Sequence, residues 1–214
     1  MKILAVDTAL GACSVAILSD DKLLAHRFSV MPRGHAEALA PMVEGAMQEA
    51  ACSFTALDRL AVTTGPGTFT GQRVGIAFMR ALRVALGVPL VGLTTLDVMA
   101  HQAMAERGIG IGVALHDARR EEVYLEVCGV IALSARLLSF DDAVAGIAAI
   151  KDPVVLAGTA AARAGARLPN AVLSTVLQPD ALWLAKLALL AAAPDGPPRP
   201  LYLRPPDAKL PERT

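Results

Sequence analysis

The residues best suited to chemistry lie in the segment Thr64-Gly65-Pro66-Gly67-Thr68-Phe69-Thr70-Gly71. Glycines spaced this closely, between a strand-like run and a helix-like one, let backbone amides approach an anion or another stretch of chain. The segment is not a Walker loop. That motif places four residues between its glycines and then a lysine, whereas five separate Gly65 from Gly71 and Gln72 follows. Two readings are open: a phosphate cradle, or a tight strand-to-helix connection with Thr70 as the helix cap. Asp7, at the end of the first apolar run and followed by a turn carrying Gly11, forms a second candidate. A carboxylate there could hold metal-bound water while the turn amides hold a phosphate, or it could simply serve the turn.

Other chemistry is harder to find. His26, His35, His101 and His116 are scattered, and none has a second His or a Glu at the helical spacing a zinc protease needs. Cys13, Cys52 and Cys128 form neither a CxxC motif nor an even disulfide set, so they read as reduced, buried thiols. No metal site is expected. Arg119 and Arg120 could meet a phosphate at a hairpin turn, although Glu121 and Glu122 neutralise them locally.

The elements that must position these residues follow from periodicity in a chain of 214 residues. Ile3 to Val6, Cys13 to Leu18 and Leu23 to Val30 read as three consecutive strands. Leu39, Met42, Val43, Ala46, Met47 and Ala50 recur on one helical face, with a bend or a start expected near Pro41. Leu57 to Thr63 is strand-like, the glycine loop opens a helix that stops at Gly87, and Pro89 to Leu93 is a short strand. Thr94 or Thr95 can cap the next helix, covering Met99 to about Arg107. The second half reads as a hairpin from Gly112 to Val127, a helix Asp141 to Ile150, a strand Val154 to Ala157, a turn Gly158 to Gly165 entering a helix, and a last helix Asp180 to Ala193. A proline-rich tail from Pro194 should lie extended. Two α/β lobes are expected, residues 1–107 and 108–214.

Balanced charge, 20 Lys plus Arg against 20 Asp plus Glu, argues against a chain that grips nucleic acid alone. Although 54% of the residues are hydrophobic, no run is long enough to span a bilayer, and Asp7 interrupts the run that could have been a signal-peptide core. A cytoplasmic protein without a membrane association is expected.

Several strings occur together and in order: Ile3-Leu4-Ala5-Val6-Asp7-Thr8-Ala9, Cys13-Ser14-Val15-Ala16, Gly34-His35-Ala36-Glu37 and Gly65-Pro66-Gly67-Thr68-Phe69-Thr70-Gly71-Gln72-Arg73-Val74-Gly75. Gly92-Leu93-Thr94-Thr95-Leu96, Asp117-Ala118-Arg119 and Pro200-Leu201-Tyr202-Leu203-Arg204 follow. With these strings the chain resembles the TsaB (YeaZ) family over nearly its whole length. The resemblance implies an actin/Hsp70/sugar-kinase-like (ASKHA) α/β fold of two ribonuclease H-like lobes, the second reduced. It also implies a role in tRNA modification: a noncatalytic scaffold subunit in transfer of a threonylcarbamoyl group to the adenosine beside the anticodon of ANN-decoding tRNAs. Implied partners are the catalytic paralogue TsaD, the ATPase TsaE, and a second copy of the chain as homodimer, with tRNA met only through the complex.

The residues bear on that implication. In TsaD two histidines at i and i+4 on the first helix hold a metal, whereas here His35 is followed by Leu39. The turn Ala9 to Ala12 has one glycine, and Leu156-Ala157-Gly158-Thr159-Ala160 stands in place of a glycine-rich adenosine turn. Asp7, Gly11, Gly65, Gly67, Gly71 and Gly158 are therefore expected to be a vestigial nucleotide site, with no cofactor beyond weak ATP or ADP binding completed by a partner. The expected partner surface is His35, Leu39, Met42, Val43, Met47, Arg73, Ile76 and Met79. The alternative is an active ASKHA-fold small-molecule kinase or acyltransferase using Asp7 and the Gly65 to Gly71 loop.

Overall fold

A computed structural model describes residues 1–192 and 196–204. The first half runs β1 (Lys2–Asp7), β2 (Ala12–Ser19), β3 (Lys22–Val30), α1 (His35–Glu49), β4 (Arg59–Thr63), α2 (Phe69–Leu86), β5 (Leu90–Leu93) and α3 (Thr95–Arg107). The second half repeats the same order of types: β6 (Ile111–Arg119), β7 (Glu122–Gly129), β8 (Leu133–Ser139), α4 (Phe140–Ala148), β9 (Val155–Ala157), α5 (Ala161–Gly165), β10 (Val172–Leu173) and α6 (Ala181–Leu190). Each half builds a five-stranded sheet, ordered β3-β2-β1-β4-β5 and β10-β9-β6-β7-β8. In both, a hairpin meander is antiparallel and the later strands add in parallel.

Strand β1 is apolar throughout because both of its faces are covered, as expected for a central strand under helices on two sides. Leu4 and Val6 point into one core with Val15, Ile17, Leu60 and Val62, under α1 and α2. Ile3 and Ala5 point into the other with Ala16, Leu18 and Ala61, under α6. The second sheet divides the same way: Val113, Leu115, Val123 and Leu125 pack with α4 and α5, while Ala114, Cys128, Val155 and Ala157 pack with α3. The last helix of each half thus covers the other half's sheet, and α3 touches α6.

Three local features differ from the sequence reading. Helix α1 begins at His35 and continues through Pro41, which lies on the exposed face of the helix. Thr68, not Thr70, caps α2, its hydroxyl accepting from the Gly71 amide. Strands β8 and β10 were not expected; their residues are largely exposed, so no alternation marks them. The cap at Thr94 is as expected, with α3 starting four residues before Met99. The last helix ends at Leu190, and the tail's start at Pro194 lies outside the described residues.

Candidate functional site

The glycine loop and the turn after β1 pack against one another. The Thr68 amide donates to Ala9 O at 2.8 Å, the Gln72 amide to Thr68 O at 3.1 Å, and the Gly71 amide to the Thr68 hydroxyl at 3.1 Å. Thr8 donates its hydroxyl to Gly71 O at 2.7 Å. These glycines are required by the closeness of that approach. A Cβ on Gly71 would drive into Thr8 O and lie 2.6 Å from Thr68 Oγ1, and one on Gly75 would lie 2.7 Å from Thr8 Oγ1. On Gly65 it would lie 2.6 Å from the buried Gln72 side chain. Of the two readings of the loop, this geometry fits the tight connection, because these amides are spent within the protein.

Asp7 lies under this packing, fully buried. Its Oδ1 accepts from the Thr63 hydroxyl and, at 3.3 Å, from the Ala9 amide, while Oδ2 has no hydrogen-bond partner. Burial pushes its carboxyl up to about 7, against the lowering effect of those donors. The expected stability effect has a definite sign. Between pH 4 and 7 an unfolded chain releases this proton and the folded one keeps it, so stability falls as pH rises through that window. We expect Asp7→Asn to flatten that decline, removing a difference on the order of a few kcal/mol in urea titrations at pH 4 and pH 7.5.

The space beside the turn is filled from the other half of the chain. Gln178, in the connection between β10 and α6, accepts the Gly11 amide on Oε1 at 2.8 Å. Two residues on, Asp180 caps α6 through the Leu182 amide at 2.8 Å and meets His26 Nε2 of β3 at 2.7 Å. The Ala181 amide donates to the Ser14 hydroxyl at 2.9 Å. Further back, the Gly158 amide donates to Val176 O at 2.8 Å. Gly158 has φ +100, and a Cβ there would lie 2.7 Å from the Leu115 carbonyl carbon. Residues 174–180 therefore form a strap from the second sheet to the first hairpin. Asp7, Gly11, Gly65, Gly67 and Gly71 are brought together, and Gly158 sits at the strap's far end.

Asp180 joins a cap, an ion pair and a helix anchor, so Asp180→Ala should lower stability by about 1–2 kcal/mol. Because the carboxylate raises the His26 pKa above its ordinary 6.5, the pair's contribution is full below that pH and is lost as pH rises through the raised value. Thermal melts of Asp180→Ala and wild type at pH 6 and pH 9 check both the loss and its shrinkage at the higher pH.

A nucleotide with its metal is what this fold commonly holds at such a place, and the residues do not fit one. The carboxylate is sealed, the turn amide at Gly11 is occupied, and the loop amides named above are bonded internally.

The helices named as a partner surface divide. Leu39, Val43, Met47, Ile76 and Met79 are 4% exposed or less and belong to the core under the first sheet. They are corrected from docking residues to packing residues: the 3.6-residue stripe of α1 and α2 faces their own sheet. Met42 is half-buried and Arg73 exposed. His35, at the start of α1, is nearly buried with Nε2 unpartnered, and the residue one turn on is the core Leu39. A TsaD-like metal pair is absent there. The outward face instead carries small residues: Ala36 and Ala40 on α1, Ala77, Ala81 and the 79%-exposed Val84 on α2. Sequence periodicity locates the apolar stripe of a helix, and without knowing which side the sheet takes, it cannot mark this second face.

The tail docks across both halves. Leu201 donates its amide to Thr64 O at 2.8 Å, and Tyr202 accepts from Arg73 Nε at 2.8 Å and stacks on Phe69. Arg204 donates to Ala118 O at 2.8 Å and pairs with Glu122, tying down the β6–β7 turn. Arg119, Arg120 and Glu121 there all have positive φ, an unusual run for residues with side chains. Gln178, Thr63 and the strap were not recognisable in the sequence, because Gln178 meets Gly11 from 167 residues away.

Residues 16–171 match a family model described as TsaD: tRNA N6-adenosine threonylcarbamoyltransferase. The tRNA threonylcarbamoyladenosine biosynthesis protein TsaB of Escherichia coli K12 is 41% identical over 124 residues, 58% of this chain and 53% of that protein. The chain thus spans about half the length of this curated relative. A solved structure of YeaZ from Pseudomonas aeruginosa has a TM-score of 0.80 at 30% identity, covering 94% of this chain and 99% of that one. Component A of (R)-2-hydroxyglutaryl-CoA dehydratase from Acidaminococcus fermentans has a TM-score of 0.55 at 12% identity, covering 89% and 98%, a likeness of fold alone. The architecture is the actin/Hsp70/sugar-kinase-like one, with two five-stranded sheets.

Proposed function

Since the chain belongs to the TsaB (YeaZ) family, we propose that it takes part in threonylcarbamoyladenosine biosynthesis on tRNA as a noncatalytic subunit that docks on, and thereby activates, a TsaD-type paralogue. The observation that carries this reading is the filled nucleotide cleft: Gln178 on the Gly11 amide, with Asp7 sealed beneath. A chain without its own cleft contributes by contact. The docking face that fits is the outer side of α1 and α2, where small Ala36, Ala40, Ala77 and Ala81 allow another helix pair to approach closely, with Val84 supplying apolar area. A second copy of the chain could use the same face in the absence of the paralogue, giving a homodimer. The chain alone holds no nucleotide in this account, and balanced charge leaves tRNA to the assembled complex.

Reconstitution tests this reading. With a TsaD, TsaE, threonylcarbamoyl-adenylate and an ANN-decoding tRNA present, modification should depend on adding this chain; equal rates without it would refute the role. In calorimetry the isolated chain should give no heat with Mg-ATP. Micromolar binding that vanishes in Asp7→Ala would instead support a kinase or acyltransferase of the same fold.

A further inference from the structure

Helix α3 starts beside the glycine loop, where the Thr95 amide donates to Gly65 O at 2.9 Å, and lays its first two turns against β7. Asp97 and His101, one helical turn apart, face the same side of α3. Glu126 and Cys128, two residues apart on β7, share the strand face that α3 covers. Three of these side chains converge. Asp97 Oδ1 lies 3.0 Å from His101 Nδ1 and 3.3 Å from Cys128 Sγ, and ligand atoms of Asp97, His101 and Cys128 all lie within 4.8 Å of one another. Glu126 is held beside them by the Thr94 hydroxyl, the same group that caps α3 on the Asp97 amide.

We propose that Asp97, His101 and Cys128 form a three-ligand, zinc-class divalent metal site that clamps α3 to the second sheet, with Glu126 beside it. Donor atoms about 2.0–2.3 Å from a tetrahedral zinc stand roughly 3–4 Å apart, the spacing already present between Asp97 and its two neighbours. One sulfur, one imidazole nitrogen and carboxylate oxygens select a borderline-soft ion over magnesium or calcium, which take oxygen ligands alone. Among the described residues this is the one group of three or more His, Cys, Asp and Glu ligands placed to share an ion. Sequence spacing concealed it, since two ligands come from a helix and the third from a strand more than twenty residues on. Binding replaces the thiol proton of Cys128 and any ring proton of His101 at the ligating nitrogen; both protons leave to solvent.

The site's consequence is mechanical. Helix α3 belongs to the first half yet covers the second sheet, so a metal at its first turns would fix the two halves together. The test is metal uptake by the full chain after chelator treatment and buffer exchange, followed by zinc titration with magnesium as control. One zinc per chain should bind, with a raised melting temperature, and cobalt in its place should show a thiolate-to-metal charge-transfer absorption. Cys128→Ala and His101→Ala should each weaken zinc binding by about 100-fold or more, and Cys128→Ala should abolish the cobalt band, while Cys52→Ser leaves both unchanged. Metal-free melts of the variants, matching the metal-free parent, establish that they fold. No stoichiometric uptake by the parent overturns the proposal. So does uptake that survives in both variants, or that is lost in Cys52→Ser.

Discussion

Ala81→Glu should leave the isolated chain folded and abolish its docking on a TsaD-type paralogue. Ala81 is exposed in the middle of the outward stripe of α2, between Ala77 and Val84, so a glutamate there meets only water in the free chain. In a helix-to-helix contact the same carboxylate would be buried without a partner, which commonly costs about 3–5 kcal/mol. We expect heterodimer affinity to fall by at least about a hundredfold in sedimentation or light scattering, and reconstituted tRNA modification to fall with it. Met79→Leu, a conservative change in the core beneath, should affect neither. The contrast separates the two faces of one helix: the stripe that the periodicity of the sequence picks out holds the fold, and the small-residue stripe behind it is the proposed docking face.

Gly71→Ala should be strongly destabilising for a single added methyl. The added carbon has nowhere to go, because the Thr8 carbonyl oxygen and Thr68 Oγ1 occupy its place, while the Thr8 hydroxyl on Gly71 O and the Thr68 hydroxyl on Ala9 O hold the loop on the β1–β2 turn. Overpacking of this kind typically costs about 1–3 kcal/mol, and here the nearest atom is a backbone oxygen, which limits relief, so about 3 kcal/mol is expected, or roughly 6–12 °C in melting temperature for a chain of this size. Gly146→Ala is the control: it lies in α4 with open space around it, and should gain about 0.5–1 kcal/mol from helix propensity. A glycine loop that served a phosphate would tolerate Gly71→Ala in the folding assay and fail only in ligand binding.

How much was legible follows from the range of each interaction. Strands β1 to β5 and helices α1 to α3 announce themselves through local patterns: doubly buried β1, the stop at Gly87, the cap at Thr94. Strand β8 does not, since its residues are mostly exposed at a sheet edge and its pairing partner alone makes it a strand. Asp7 and the glycines were singled out by residue type, and the structure does assemble them, but their meaning turned on Gln178 and Asp180, whose contacts with Gly11 and Ser14 span 167 and 166 residues. No local pattern encodes such a contact. The same holds for Asp97, His101, Glu126 and Cys128, each unremarkable in its own segment. Met47 and Met79 show the opposite failure: a strong local signal correctly found a stripe and left open which side of it would be buried.

The central claim is that this chain acts by docking and not through a nucleotide of its own. It is tested most directly by running the reconstituted tRNA modification with Asp7→Asn and with Ala81→Glu side by side, each added at the concentration that saturates the parent. The account predicts near-parental modification with Asp7→Asn, whose carboxylate is sealed within the fold, and loss of modification with Ala81→Glu. Full activity with Ala81→Glu together with loss in a folded Asp7→Asn would contradict it.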